Sequence, residues 1–239
     1  MNAEYVHLRN FIRFDLADNK LKSRLLGTWV SQFLAPKDDD ASGGDFYVPF
    51  WADAKKHVAG EGNLIAMTSA RMASNRRRSR LYPLLQAGFL KWWTDVQRQT
   101  NQELELLKIP IKGKYDVDGL GVLRVENNLA LRAHGEIVRV VYPYFSEEPI
   151  LNKEAARMAL WVMEQALSDY DPMTFEILDV VRGVSYRYVD CAFVGDEEAL
   201  IASRYQVFID SWWARLIKRA PSIRRRPPAS PTAGRSVRP

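Results

Sequence analysis

The stretch IPIKGKYDVDGLGVLRVENNLALRAHGEIVRVVYPYF (residues 109–145) decides the fold class. It is rich in β-branched and aromatic residues, and two turn-like breaks divide it, Asp118-Gly119 and Ala133-His134-Gly135. Three consecutive antiparallel strands are predicted, over 109–117, 122–131 and 137–145. Downstream, Asn152 caps a helix whose apolar side is Ala155, Ala156, Ala159, Leu160, Met163 and Leu167, and Asp171-Pro172 closes it. Residues 175–181 read as a buried strand and 184–193, after Gly183, as its partner. Asp196 caps a last helix with Glu197 and Glu198 in its first turn and Lys218 and Arg219 in its last, the order the helix dipole favours.

Upstream the period is helical. Asp18 or Asn19 caps a helix carrying Leu21, Leu25, Leu26, Trp29, Val30, Phe33 and Leu34, which ends before Pro36. A linker-like stretch from Asp38 to Gly44 follows, then an aromatic patch of Phe46, Tyr47, Phe50 and Trp51 leading into a short helix stopped by Gly60 and Gly62. The longest periodic segment spans 81–107 through Leu85, Phe89, Trp92, Trp93, Val96, Leu104 and Leu107, with Gly88 as its weak point. Helices, then βββ, α, ββ, α, give an α+β (or α/β) protein with a mixed central sheet. The expected organisation is a helical region over 1–103, a core over 104–219, and a basic, Pro-rich, disordered tail over 220–239.

The segment 104–219 resembles the PD-(D/E)XK nuclease fold, and most closely its RecB-type branch, where a helical N-terminal part precedes the sheet. Ile111-Lys112-Gly113-Lys114-Tyr115-Asp116-Val117-Asp118 is similar to that branch's apolar-x-Gly-x-apolar-Asp strand, and the helix at 152–167 stands where the family places the helix after its catalytic strand. The resemblance implies two carboxylates on neighbouring strands holding Mg²⁺ or Mn²⁺, with a lysine two residues after the second to orient water. A hard cation needs converging oxygens, and it lowers the pKa of bound water while stabilising charge on phosphate. Asp116 fills the first role and Glu126 the second, but the lysine position is Asn128, and the alternative register at Tyr142-Pro143-Tyr144 has neither acid nor lysine. Asp116 is equally read as a turn residue before Asp118-Gly119. An active enzyme would need a relocated base such as Lys112 or Lys114. The preferred expectation is a catalytically deficient nuclease fold, an accessory subunit of a nucleic-acid-processing or defence complex, with no metal and no cofactor.

Charge directs where nucleic acid would sit. The net charge is +5, yet Lys218, Arg219, Arg224, Arg225, Arg226, Arg235 and Arg238 follow residue 216 with no acid, so removing these seven leaves the body at −2. In the body, Arg71, Arg76, Arg77, Arg78 and Arg80 cluster before the long helix, and guanidinium groups match phosphate in bidentate fashion. These five, with help from Arg224, Arg225 and Arg226, are the expected nucleic-acid contacts.

Other chemistry is poorly supplied. Cys191 is the sole cysteine, so no internal disulfide forms; it sits in an apolar strand and reads as a core residue. His7, His57 and His134 lack ligand spacing, and Gly113, Gly119 and Gly121 open no phosphate loop. No apolar run approaches the roughly 18 residues of a membrane span and no secretory signal is visible, so a cytoplasmic, non-membrane protein is expected. Trp92-Trp93 and Trp212-Trp213 read as core residues with one partner of each pair at an edge. The rival function is a scaffold or homo-oligomer in which these pairs and the Phe46–Trp51 patch dock a protein.

Overall fold

The computed structural model describes residues 3–35 and 46–220, and its fold is α+β. The expected linker at Asp38 to Gly44 and the tail with Arg224, Arg225 and Arg226 lie outside the described residues. In chain order the elements are β1 (Tyr5–His7), α1 (Leu8–Leu16), α2 (Asn19–Leu34), α3 (Val48–Val58), α4 (Leu64–Ser74), α5 (Tyr82–Arg98), β2 (Glu105–Leu106), β3 (Gly113–Val117), β4 (Gly121–Val125), β5 (Leu129–Ala133), β6 (Glu136–Tyr144), α6 (Lys153–Ala166), β7 (Phe175–Asp179), β8 (Val184–Arg187) and α7 (Glu197–Arg219). Asp18 and Asn152 do cap α2 and α6, accepting from the backbone N–H of Leu21 and Ala155. At α7 Asp196 holds the N-cap position without a side-chain hydrogen bond, and the Glu197 carboxylate accepts from Val194 and Gly195 N–H just ahead of the helix.

Two sheets replace the single one expected. The predicted strand 122–131 breaks at Glu126-Asn127-Asn128, because Asn127 takes the left-handed conformation (φ 67°) and its carbonyl accepts from Trp51 Nε1 at 2.6 Å. Asn128 donates to the Ile111 carbonyl at 3.0 Å, which fixes the exit. β4 therefore belongs to a three-stranded sheet of order β1-β4-β3, and β5 to a five-stranded sheet of order β2-β5-β6-β7-β8. Both are mixed: β1 runs parallel to β4 and β6 parallel to β7, while the other pairs are antiparallel.

Alternation along the central strands explains the layering. Val140, Tyr142 and Tyr144 of β6, with Phe175 and Ile177 of β7, join one hydrophobic cluster with α1, α2, α6, α7 and the smaller sheet. Val141, Phe145, Leu178 and Val180 point the other way, into a cluster with α3, α4 and α5. Each cluster draws on residues from both sides of position 103, so the core is continuous across it.

Helix α5 ends at Arg98, short of 107, and Leu106 of edge strand β2 packs against the cluster together with Leu104 just before it. Its Gly88 is a contact point, not a weakness. A Cβ there would lie 2.1 Å from the Val180 carbonyl oxygen, and one on Gly183 would lie 2.3 Å from the Gly88 oxygen. Paired glycines let α5 cross the β7–β8 turn at backbone distance. Among the described residues no helix is long and apolar enough to cross a membrane.

Candidate nucleic-acid interface

The hairpin β3–β4 separates the residues a nuclease centre would join. Asp116 pairs with Val122 and its carboxylate accepts from Gly119 N–H at 2.8 Å, closing a turn in which Asp118 and Gly119 have positive φ. Glu126 follows the far end of β4, four residues beyond Val122. At the rise of a strand that is about 13 Å, against the few ångströms between oxygens sharing one cation. Lys114 sits opposite Arg124, between them, and Lys112 precedes the strand on the exposed surface. Among the described residues no three His, Cys, Asp or Glu side chains are grouped to hold a metal ion.

Glu126 instead belongs to a polar cluster at the start of α1. His7 Nε2 lies 2.9 Å from an Arg124 guanidinium nitrogen and its Nδ1 lies 3.6 Å from Glu126. Burial, then the charges of Arg124 and Arg9, push the imidazole down to about 4. At neutral pH the ring is uncharged, so Nε2 accepts from Arg124 and the proton resides on Nδ1. An unfolded chain takes up that proton near pH 6.5. The folded state is thus favoured above pH 6.5, and the advantage is lost as pH falls toward 4. Urea unfolding between these pH values is expected to show that His7→Gln loses less stability than wild type over the same interval, by about 1–2 kcal/mol once solvent screening of the part-exposed ring is allowed for.

The arginine cluster is divided by the acids around it. Arg71 makes a bidentate contact with buried Asp53 at 2.8 and 3.0 Å, and Arg80 pairs with Glu147 at 2.7 Å. Arg78 lies over the Tyr82 ring and reaches Ser74 Oγ. Arg76 and Arg77 are exposed in a short 3-10 turn that the Asn75 side chain holds through Arg77 N–H, and neither has an acid partner among the described residues. Of the five arginines expected to contact phosphate, these two remain fully available.

A second basic surface, missed in the sequence, lies between α2 and α7. A groove of about 710 Å³ is lined by Lys20 and Arg24 from α2 and Arg215 from α7, with two acids, Asp18 and Glu148, also in its lining. A shallower one of about 350 Å³ adjoins it through Arg215 and adds Lys22 and Lys218. Gly27 permits this packing: a Cβ there would sit 3.0 Å from Arg215 Nη2. Arg219 caps the same seam through the Gly27 carbonyl and Ser31 Oγ. Arg215 Nε is buried without a partner, and Lys20, Arg24 and Lys218 have no acid partner among the described residues. The signal was present as Lys20/Arg24 and Arg215/Lys218/Arg219 at helical spacings, but the two helices lie at opposite ends of the chain.

The two basic surfaces meet at one loop. Glu147 holds Arg80, and its neighbour Glu148 lines the α2–α7 groove. Arg182, itself paired with buried Asp179 at 3.0 Å, donates to the Ser146 and Glu147 carbonyls; Tyr144 donates to the Pro149 carbonyl and Tyr186 to that of Leu151. The Glu148-Pro149 peptide is cis. Four carbonyls of the 146–151 loop are thereby held, leaving a braced segment between the arginine turn and the groove.

Aromatic residues are committed elsewhere. Trp92, Trp93, Trp212, Phe50 and Trp51 are all buried and Trp213 is partly so. Cys191 is buried and burial pushes its thiol up, away from the thiolate. His57 contacts the Gly62 carbonyl at 3.2 Å and His134 occupies the β5–β6 turn with φ 52°. Neither known protein-family models nor curated proteins gave a match to this chain.

Proposed function

We propose that the protein binds nucleic acid through a track of two basic surfaces, Arg76 and Arg77 on one side of the Glu147-Glu148-Pro149 loop and Lys20, Arg24, Arg215 and Lys218 on the other. The observation that carries this reading is the seam of α2 and α7, where Lys20, Arg24 and Lys218 stand beside Arg215 without acid partners among the described residues, because a polyanion gains from several cations spaced along its backbone. Contacts of this kind are to phosphate, so the binding is independent of base sequence. On this reading the nuclease resemblance is that of a fold without its cutting centre, given the separation of Asp116 from Glu126. The work is accessory, within a cytoplasmic DNA- or RNA-processing or defence assembly. Burial of the tryptophan pairs weighs against the scaffold alternative, which needs them at the surface.

Fluorescence anisotropy with a labelled duplex and a labelled single strand between 50 and 200 mM salt tests the reading. With six track cations engaged, affinity is expected to fall by roughly 10³ across that range. Replacing Arg76 and Arg77 with Ala should reduce the logarithmic salt slope by about 2. Absence of binding at 50 mM, or binding indifferent to salt, refutes it. In Mg²⁺ or Mn²⁺, wild type and Asp116→Ala are expected to leave the DNA equally intact.

A further inference from the structure

Away from the basic track, a cavity of about 120 Å³ is lined by residues of α1, α3, the β4–β5 turn and the end of β6. Tyr47, Trp51 and Phe145 form its walls, and Lys55 enters it from α3. Tyr47 and Phe145 stack with centroids 4.8 Å apart, and Trp51 crosses Phe145 edge-on at 5.5 Å. Trp51 and Lys55 are one helical turn apart, so the lysine stem lies along the same aromatic face. The groups facing the amine are Arg9 from α1, the Tyr47 phenol, and Asn127 of the β4–β5 turn, whose carbonyl is occupied by Trp51 Nε1. Lys55 has no hydrogen-bond or ion partner among the described residues, and no carboxylate lines the cavity.

We infer that Lys55 is a covalent capture site for small aldehydes or ketones, which form an imine with its ε-amine inside this cavity. The space suits a carbonyl compound of a few carbons and falls well below the few hundred Å³ of a drug-sized ligand site. In the step, the Nζ lone pair adds to the carbonyl carbon, the carbonyl π pair moves to oxygen, and one N–H proton passes to that oxygen. The carbinolamine nitrogen then uses its lone pair to expel the oxygen as water, which carries off the second N–H proton and leaves C=N. One water is released, no oxidant or reductant is needed, and the step is reversible. A buried amine without a counterion is the form of lysine that supports such chemistry. Burial pushes the Lys55 ammonium down to about 8, so a large share of the amine is neutral at physiological pH.

Lys56, the exposed next residue on α3, is the internal control. The full-length protein is treated briefly with propanal and cyanoborohydride at pH 7.5, and propylated peptides are quantified by mass spectrometry. Lys55 is expected to be labelled at least about tenfold faster than Lys56. Its rate should level off above about pH 8. In denaturing urea the two rates should converge. Labelling of Lys55 at or below the rate of Lys56 in the folded protein overturns the proposal. The comparison is made within the wild-type chain, so it does not depend on a variant folding, and it is independent of nucleic-acid binding.

Discussion

Reversing Lys20, Arg24 and Lys218 to glutamate is expected to weaken nucleic-acid binding by at least about 100-fold at 0.1 M salt and to flatten the salt slope by nearly 3. Each lost phosphate contact removes roughly one released counterion, so three contacts correspond to more than two decades at that salt concentration. The added repulsion lies along the same seam, because Arg215 joins both grooves and faces α2 across Gly27. None of the three replaced residues belongs to the buried core, so urea midpoints should stay near wild type. Arginine-turn variants act at the other end of the track, past the 147–149 loop. Combining the two sets should therefore give additive losses, as expected of contacts that share no partner. Retained affinity in the triple variant would confine binding to Arg76 and Arg77 and remove the α2–α7 groove from the interface.

How far these features could be read beforehand depends on whether local sequence or distant packing decides them. Caps at Asp18 and Asn152 were legible, since a side-chain acceptor three residues ahead of an N–H is a local signal. The break at Asn127 was not, because Val125 and Leu129 are both apolar and the pattern runs on as if one strand continued. The Trp51 indole, 76 residues away, and the Ile111 carbonyl, 17 residues away, hold the turn there. Gly88 shows the same limit with the opposite sign: helix propensity counts it as a defect, while the fold requires it where Val180 presses against α5. In the site, arginine clustering marked the 76–80 turn, but charge counting could not say that Asp53 and Glu147 would occupy Arg71 and Arg80. The α2–α7 groove exists only after residues almost 200 positions apart have been packed together.

Arg139→Ala should produce the largest loss of stability, about 3–5 kcal/mol in urea unfolding at neutral pH. Arg139 is largely buried on β6 and donates to Glu176 on β7 at 2.6 Å; Glu176 is almost wholly buried and its other oxygen accepts from Trp92 Nε1 of α5 at 2.7 Å. Arg139 also reaches the Gln99 side chain just past α5, so one carboxylate and one guanidinium tie the helix to two strands. Removing the arginine leaves a buried negative charge with a single neutral donor, and that uncompensated charge is the source of the cost. The paired change Arg139→Leu with Glu176→Gln should recover most of it, because the charge is then gone and an amide oxygen still accepts from Trp92. Recovery would show that the pair fixes where α5 docks while contributing little net stability of its own. Since α5 follows directly on the 76–78 turn, native-state hydrogen exchange in Arg139→Ala should find α5 opening before the central strands. A loss below about 1 kcal/mol would mean that water reaches Glu176, and the α5 clamp would then carry no weight in placing the arginine turn.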